Sequence, residues 1–448
     1  MGTLRKYKLA PFIVVLAAIL EIVLAVTMDM SVCPDEGMRY PISEWISQHG
    51  TLPTGYEESL INPAWGYSYA FTPYLPQIIG ALFLKLTSLF TDNAQALLFS
   101  CRLISIFSGI GISLLSFRIA DRFFENKYSV YFMASLVTFL PQLVFICSYL
   151  NNDALSVFSA FMIFDAVLTG SEKGWGRKTR IYLALGTSIC ILTYYFAYAW
   201  VLFAIGGYFI TALKNTQDRK VVFKNAGLIA LTVFVLAGWY FIRNAIIYDG
   251  DFLGISQNKI CAAMTYEKTG VYPQGNPGGN HMSMHTMLYE GGWISTTTKS
   301  FLGLFSVMCV KLKERFYFAY RWFLRFCLIL FFVYRNKTRK KISTTLLLSM
   351  LFVMAVPVVL SVFSSYYRDF QPQGRYVMSM LPAVSVIFTA GVDAFSVSKS
   401  GKFAKLLPAL MGIIWFLIFA VIYYAVMLPT LSAITLPGAG VMDCYEVM

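Results

Sequence analysis

Apolar runs of about 18 residues or more recur from Leu9 to Met427, separated by short clusters of lysine and arginine. As helices rising about 1.5 Å per residue, such runs match the roughly 30 Å of hydrocarbon in a bilayer. Composition agrees with that reading. Of 448 residues, 57% are hydrophobic and 13% charged, about half the charge of a soluble domain. The chain reads as an all-α, polytopic helical membrane protein.

The net charge of +13 does not mark a nucleic-acid surface, because the basic residues lie between the apolar runs. Arg5, Lys6 and Lys8, then Arg118, Arg122 and Lys127, then Lys173, Arg177, Lys178 and Arg180 follow the positive-inside pattern. So do Lys214, Arg219, Lys220 and Lys224, the cluster from Arg335 to Lys341, and Lys399, Lys402 and Lys405. Their partner is membrane lipid. The first run, Leu9 to Met28, has no A-x-A site after it and is expected to stay as an uncleaved helix. None of the eight cysteines forms a C-x-x-C pair; Cys33, Cys261 and Cys444 share the outer side and leave one disulfide open.

Each basic cluster should be cytoplasmic, so an even number of crossings must separate neighbouring clusters. Three apolar stretches, 9–28, 74–90 and 95–117, lie between Lys8 and Arg118, so one of them does not cross. The middle stretch carries Pro76 and Lys85 and is about 25 Å long as a helix, short of the hydrocarbon thickness. It is predicted to be interfacial, within an outer loop at 29–94. Crossings then fall at 9–28, 95–117, 128–149, 154–170, 181–196, 198–213, 225–247, 316–334, 342–363, 376–396 and 405–427. These are about eleven, in one membrane domain over 1–448 with the N-terminus cytoplasmic. A second outer loop, 248–315, is expected to cover substrate and to hold an interfacial segment near 299–310.

This parity gathers the unusual polar residues on one side. Asp35 and Glu36 follow the first crossing, and an ionisable group beside a bilayer points to function. Either acid can serve as general base while the other orients it, and the sequence does not separate them. Asn152 and Asp153 open on the same side and are assigned to orienting an acceptor or a cation. Arg375, Arg243, Arg39, Arg321 and Arg325 supply guanidinium forks suited to phosphate oxygens. Tyr56, Trp65 and His285 are candidate sugar contacts. An acid for base work beside arginines for a phosphate is the equipment of glycosyl transfer from a polyprenyl-phosphate sugar.

The segments PDEGMRY (34–40), GTLP (50–53), NNDA (151–154), WYFIRN (239–244), KSFLGLF (299–305) and QGRYVMSMLP (373–382) occur in order along the chain. In these it resembles the GT-C superfamily of membrane glycosyltransferases, and most closely a bacterial family of GT-C-like membrane proteins. The resemblance implies a catalytic acid in the first outer loop beside interfacial helices. It also implies inverting transfer to an extracytoplasmic glycan, lipid or protein in cell-envelope assembly at a bacterial plasma membrane. The family pattern P-D-E-x-x-H has Arg39 here at the histidine position. No metal ligand set is assigned, and a divalent cation stays optional because a phosphate leaves as a stable anion.

Other signals carry less. Asp249-Gly250-Asp251 imitates a D-x-D clamp but reads as a turn. His281 and His285 have the spacing of a zinc pair without the glutamate of H-E-x-x-H. The rival class is a transporter or flippase of lipid-linked sugar, which would favour repeated halves and polar groups at mid-depth. The chain has no such repeat, and its polar groups sit at the boundary.

Overall fold

Every long apolar run forms helix, because a backbone in hydrocarbon must satisfy its own hydrogen bonds. The computed structural model describes residues 6–63, 65–270, 276–337 and 342–434. Helix α1 (Ala10–Thr27) starts on a proline in its first turn, where no N–H is needed. A 3₁₀ turn (Met30–Val32) leads to α2 (Glu36–His49), and α3 (Leu75–Thr87) packs between α2 and α4 (Ala94–Phe123). Asn93 caps α4 by accepting the Ala96 N–H at 3.0 Å. Then come α5 (Lys127–Thr138), α6 (Pro141–Ile146), α7 (Asp153–Lys173), α8 (Arg177–Ile191) and α9 (Ala199–Asn215). Helix α10 (Arg219–Val233) runs through a π-turn into α11 (Trp239–Ile247).

The next long connection holds α12 (Ile255–Thr269), α13 (Met284–Tyr289) and α14 (Trp293–Gly303). It ends in an antiparallel pair, β1 (Leu304–Phe305) with β2 (Val310–Lys311), in which Leu304 faces Lys311. The segment expected near 299–310 therefore begins earlier, as α14, and continues as this hairpin. Helices α15 (Glu314–Tyr334), α16 (Thr344–Tyr367), α17 (Leu381–Ser398), α18 (Lys402–Ile422) and α19 (Leu428–Ala433) complete the bundle.

Among the described residues, nine helices are long and apolar enough to cross a membrane. The other two expected crossings fall on shorter elements. The run 128–149 divides into α5 and α6 before Pro141, and α8 has 15 residues. Burial explains the break. Phe132, Met133, Ala134, Val137, Val144 and Phe145 are fully enclosed by protein, and irregular backbone at membrane depth is tolerated there. Helix α3, at 13 residues, is too short to span.

The two ends of the bundle differ in charge. Lys6 pairs with Asp121 at 2.5 Å near the start of α1 and the end of α4. Arg118 and Arg122 both reach Asp165, at 2.8 and 3.1 Å, and Asn126 donates to the Lys405 carbonyl at 2.8 Å. Asp165 lies about 18 Å along α7 from Asp153, so the basic clusters and the acids of the first connection occupy opposite ends. A cavity of about 370 Å³ at the basic end, lined in part by Phe123, Phe331, Arg335 and Asp393, shares no residue with those acids. Cys33 and Cys261 are free and buried, and Cys444 lies outside the described residues.

Candidate active site

The two neighbouring acids part company at the start of α2. Asp35 holds a left-handed backbone, φ 63°, a conformation Asp tolerates better than most residues. Its carbonyl accepts the N–H groups of Met38 and Arg39, both at 3.1 Å, and so begins the helix. Its carboxylate makes no cap and faces Arg375 instead. One arm of that guanidinium donates to Asp35 Oδ2 at 2.6 Å, and the other lies 3.7 Å from Asp153 Oδ2. Arg375 Nε donates to Gln373 Oε1 at 2.5 Å, which fixes the plane of the fork. The Tyr69 hydroxyl also bonds Asp35, while the Arg39 guanidinium stacks 4.4 Å over the Tyr69 ring. Burial pushes the Asp35 carboxyl up, but Arg375, Arg39 and Tyr69 outweigh it and hold the group below its ordinary range.

Three buried polar atoms around this pair lack a hydrogen-bond partner: Arg39 Nε, Asp153 Oδ1 and the Tyr149 hydroxyl. Their residues are 4%, 3% and 0% exposed. Buried polar atoms are mostly paired, so these three keep hydrogen-bonding capacity that a polar ligand could use. Tyr194 and Phe196 pack against Tyr376, next to Arg375, with Phe196 stacking on it at 4.8 Å. Sequence reasoning missed these tyrosines, because 28 of them hide a local cluster. Asp35 and Asp153 both turn to Arg375, and no third His, Cys, Asp or Glu joins them among the described residues. That donor set does not fit a divalent cation, since a guanidinium already supplies the positive charge between the acids.

Glu36 is fully buried and faces the other way. Arg102 Nε donates to its Oε1 at 2.9 Å and a second fork nitrogen reaches Oε2; the Leu150 N–H adds 2.7 Å to Oε1. Arg102 also donates to the carbonyls of Ala25 and Met28, at 2.7 and 2.8 Å, and so closes the end of α1. Arg102 was not among the sequence candidates, although an arginine inside an apolar run is itself a signal.

The remaining candidates are dispersed. Asn152 accepts from Gln77 at 3.0 Å and donates to Pro73 and Thr193 carbonyls at 2.9 Å, so its amide is spent on joining loops. Arg243 donates to the Leu52 and Pro53 carbonyls, at 3.0 and 2.7 Å, clamping the first connection. Arg325 is exposed over the Trp322 ring, and neither it nor Arg321 pairs with an acid among the described residues. Tyr56 is partly exposed and donates to Gln257 at 2.6 Å; Trp65 is as exposed, and His285 lies against Tyr289.

Gly374 sets the position of Arg375. A Cβ there would lie 2.0 Å from the Phe301 nitrogen in α14, a backbone that has nowhere to retreat. Gly374→Ala is expected to cost about 1–3 kcal/mol and to displace Arg375. Thermal melting of the purified protein checks the first effect; an unchanged melting temperature would refute the close approach.

Solved structures with a similar fold include three bound to ligands. The oligosaccharyltransferase AglB of Archaeoglobus fulgidus, in complex with an inhibitory peptide and a dolichol-phosphate, has a TM-score of 0.53 at 13% identity over 94% of this chain and 56% of that one. A second Archaeoglobus fulgidus oligosaccharyltransferase structure, a complex with Zn and sulfate, gives 0.54 at 14% identity over 92% and 52%. ArnT of Cupriavidus metallidurans, bound to undecaprenyl phosphate, gives 0.51 at 14% identity over 94% and 73%. The chain spans about half the length of the oligosaccharyltransferases it matches. No curated protein matches it in sequence. The chain shares the overall fold of these structures. A family model covers residues 44–384, and the chain accordingly belongs to the family described as predicted membrane protein (DUF2142).

Proposed function

We propose that this protein is an inverting glycosyltransferase that moves a sugar from a polyprenyl-phosphate donor to an acceptor on the extracytoplasmic side of the membrane. The observation that carries the reading is the Asp35–Arg375 pair, with unpartnered donor and acceptor atoms of Arg39, Asp153 and Tyr149 beside it. Asp35 takes the proton of the acceptor as its oxygen or nitrogen attacks the anomeric carbon. Arg39 and Arg375 hold the departing phosphate, and Asp153 Oδ1 accepts a hydrogen from the acceptor. A positioned base contributes about 10²–10⁴ in rate, and charge stabilisation of the leaving group a comparable factor. Glu36 with Arg102, Asn152 and Arg243 hold the loops that present these groups. The basic clusters at the opposite end support an outward-facing site by the positive-inside rule.

The direct test incubates purified protein with radiolabelled polyprenyl-phosphate sugars and candidate glycan, lipid and peptide acceptors. Labelled product is expected with one donor class. Donors left intact throughout, while the protein instead moves them across proteoliposomes, would favour the transporter reading. Chelation with EDTA is expected to leave transfer unchanged, and complete loss would return a cation to the site.

The pH dependence has a defined sign. Because Asp35 is held below its ordinary range, its carboxylate stays ionised through neutral and mildly acidic solution. The acid limb of kcat/KM is therefore expected below the ordinary carboxylate range. A limb centred near neutrality would assign the base to another group.

A further inference from the structure

We propose that Arg375 passes from the base to the leaving phosphate during the reaction, a role that rests on Asp35 being the base and a phosphate the leaving group. At rest, Asp35 and Asp153 both face Arg375, with Arg39 in electrostatic reach of both. One arm of Arg375 is committed to Asp35 at 2.6 Å. The other lies at 3.7 Å from Asp153, beyond hydrogen-bond length. Its Nε is pinned by Gln373, so the fork is fixed in plane while the second arm keeps only the longer contact with Asp153.

The displacement changes which anion needs that fork. The acceptor heteroatom bonds to the anomeric carbon, and the bond from that carbon to the phosphate oxygen breaks. The electron pair leaves on phosphate, and the acceptor proton goes to Asp35. Asp35 becomes neutral as the phosphodiester, with one negative charge, becomes a monoester with two. The strongest partner of Arg375 disappears as a stronger one forms beside it. Arg39 and Tyr69 also face Asp35, with Tyr67, Tyr149 and Asp369 within electrostatic reach, but the 2.6 Å bond from Arg375 is the close charged hydrogen bond that protonation of the base releases. Arg375 thus keeps the base ionised before transfer and holds the product phosphate after it.

The consequence is measurable without turnover. A neutral side chain at position 35 imitates the protonated base, so Asp35→Asn is expected to bind undecaprenyl phosphate at least about tenfold more tightly than the unaltered protein. The probe is radiolabelled undecaprenyl phosphate, titrated against full-length protein in nanodiscs of neutral lipid. Adding Arg375→Lys to Asp35→Asn should remove the gain, because an ammonium cannot replace the fork. Thermal melting establishes that each variant is folded, and Asp35→Ser gives a second neutral replacement. A gain that persists with Arg375→Lys assigns the effect to repulsion by Asp35 and overturns the handover. Equal affinity of the Asp35 variants and the unaltered protein, lowered in all by Arg39→Met, also overturns it while keeping the phosphate site. Absence of saturable binding in every protein overturns the phosphate reading and the handover with it.

Discussion

Asp35→Asn is expected to lower sugar transfer by about 10²–10⁴-fold while leaving a folded, membrane-inserted protein. Asparagine has the same shape, tolerates the left-handed backbone at this position, and its carbonyl oxygen can still accept from Arg375. It cannot take a proton from the acceptor. The substitution therefore keeps a weaker, uncharged hydrogen bond while removing the proposed base and the charge that holds Arg375. Arg375 also stays close to Asp153 in the variant, so no buried guanidinium is left without a nearby anion. The measurement is single-turnover transfer from labelled donor, with the melting temperature taken on the same preparation. Retained turnover would move the base elsewhere. Loss of both turnover and folding would place Asp35 in the scaffold.

How far the sequence discloses this arrangement depends on the range of the interaction concerned. Charge parity between basic clusters needs only local composition, and it sets aside the stretch 74–90, which the structure shows as the 13-residue helix α3. It fails to anticipate the break before Pro141, because the hydropathy of 128–149 does not reveal whether its neighbours are lipid or protein. Burial in protein decides that, through contacts with α18 and α4. In the site, Asp35 and Arg375 are 340 residues apart, and the sequence brings them together only by assigning both to one side of the membrane. Side alone is a weak coordinate. It groups Arg243 with Arg375, although the first binds loop carbonyls and the second an acid. It also groups Arg321 and Arg325 with them, although Arg325 lies exposed over an aromatic ring. The orphaned atoms of Tyr149 and Asp153 leave no trace in sequence at all, since a missing partner is a property of three-dimensional packing.

The adjacent acids give the sharpest contrast, because the partner that separates them, Arg102, lies 66 residues beyond Glu36. Removing one member of a buried, hydrogen-bonded ion pair leaves an uncompensated charge and costs about 3–5 kcal/mol. Glu36→Gln and Arg102→Met are each expected to lower stability by that amount, seen as reduced melting temperature and poor recovery of folded protein. Arg102→Met also leaves the Ala25 and Met28 carbonyls without their donor, so it should be the more severe of the two. The double variant is expected to cost far less than the two single losses together, because no unpaired charge remains; a double-mutant cycle measures that coupling. Catalysis should follow the opposite pattern. Glu36 faces Arg102 and the Leu150 N–H, away from Arg375. Folded Glu36→Gln molecules should therefore transfer sugar at close to the normal rate per active site, where folded Asp35→Asn molecules do not. A Glu36→Gln protein that melts normally yet has lost transfer would reverse the assignment and make Glu36 the proton acceptor.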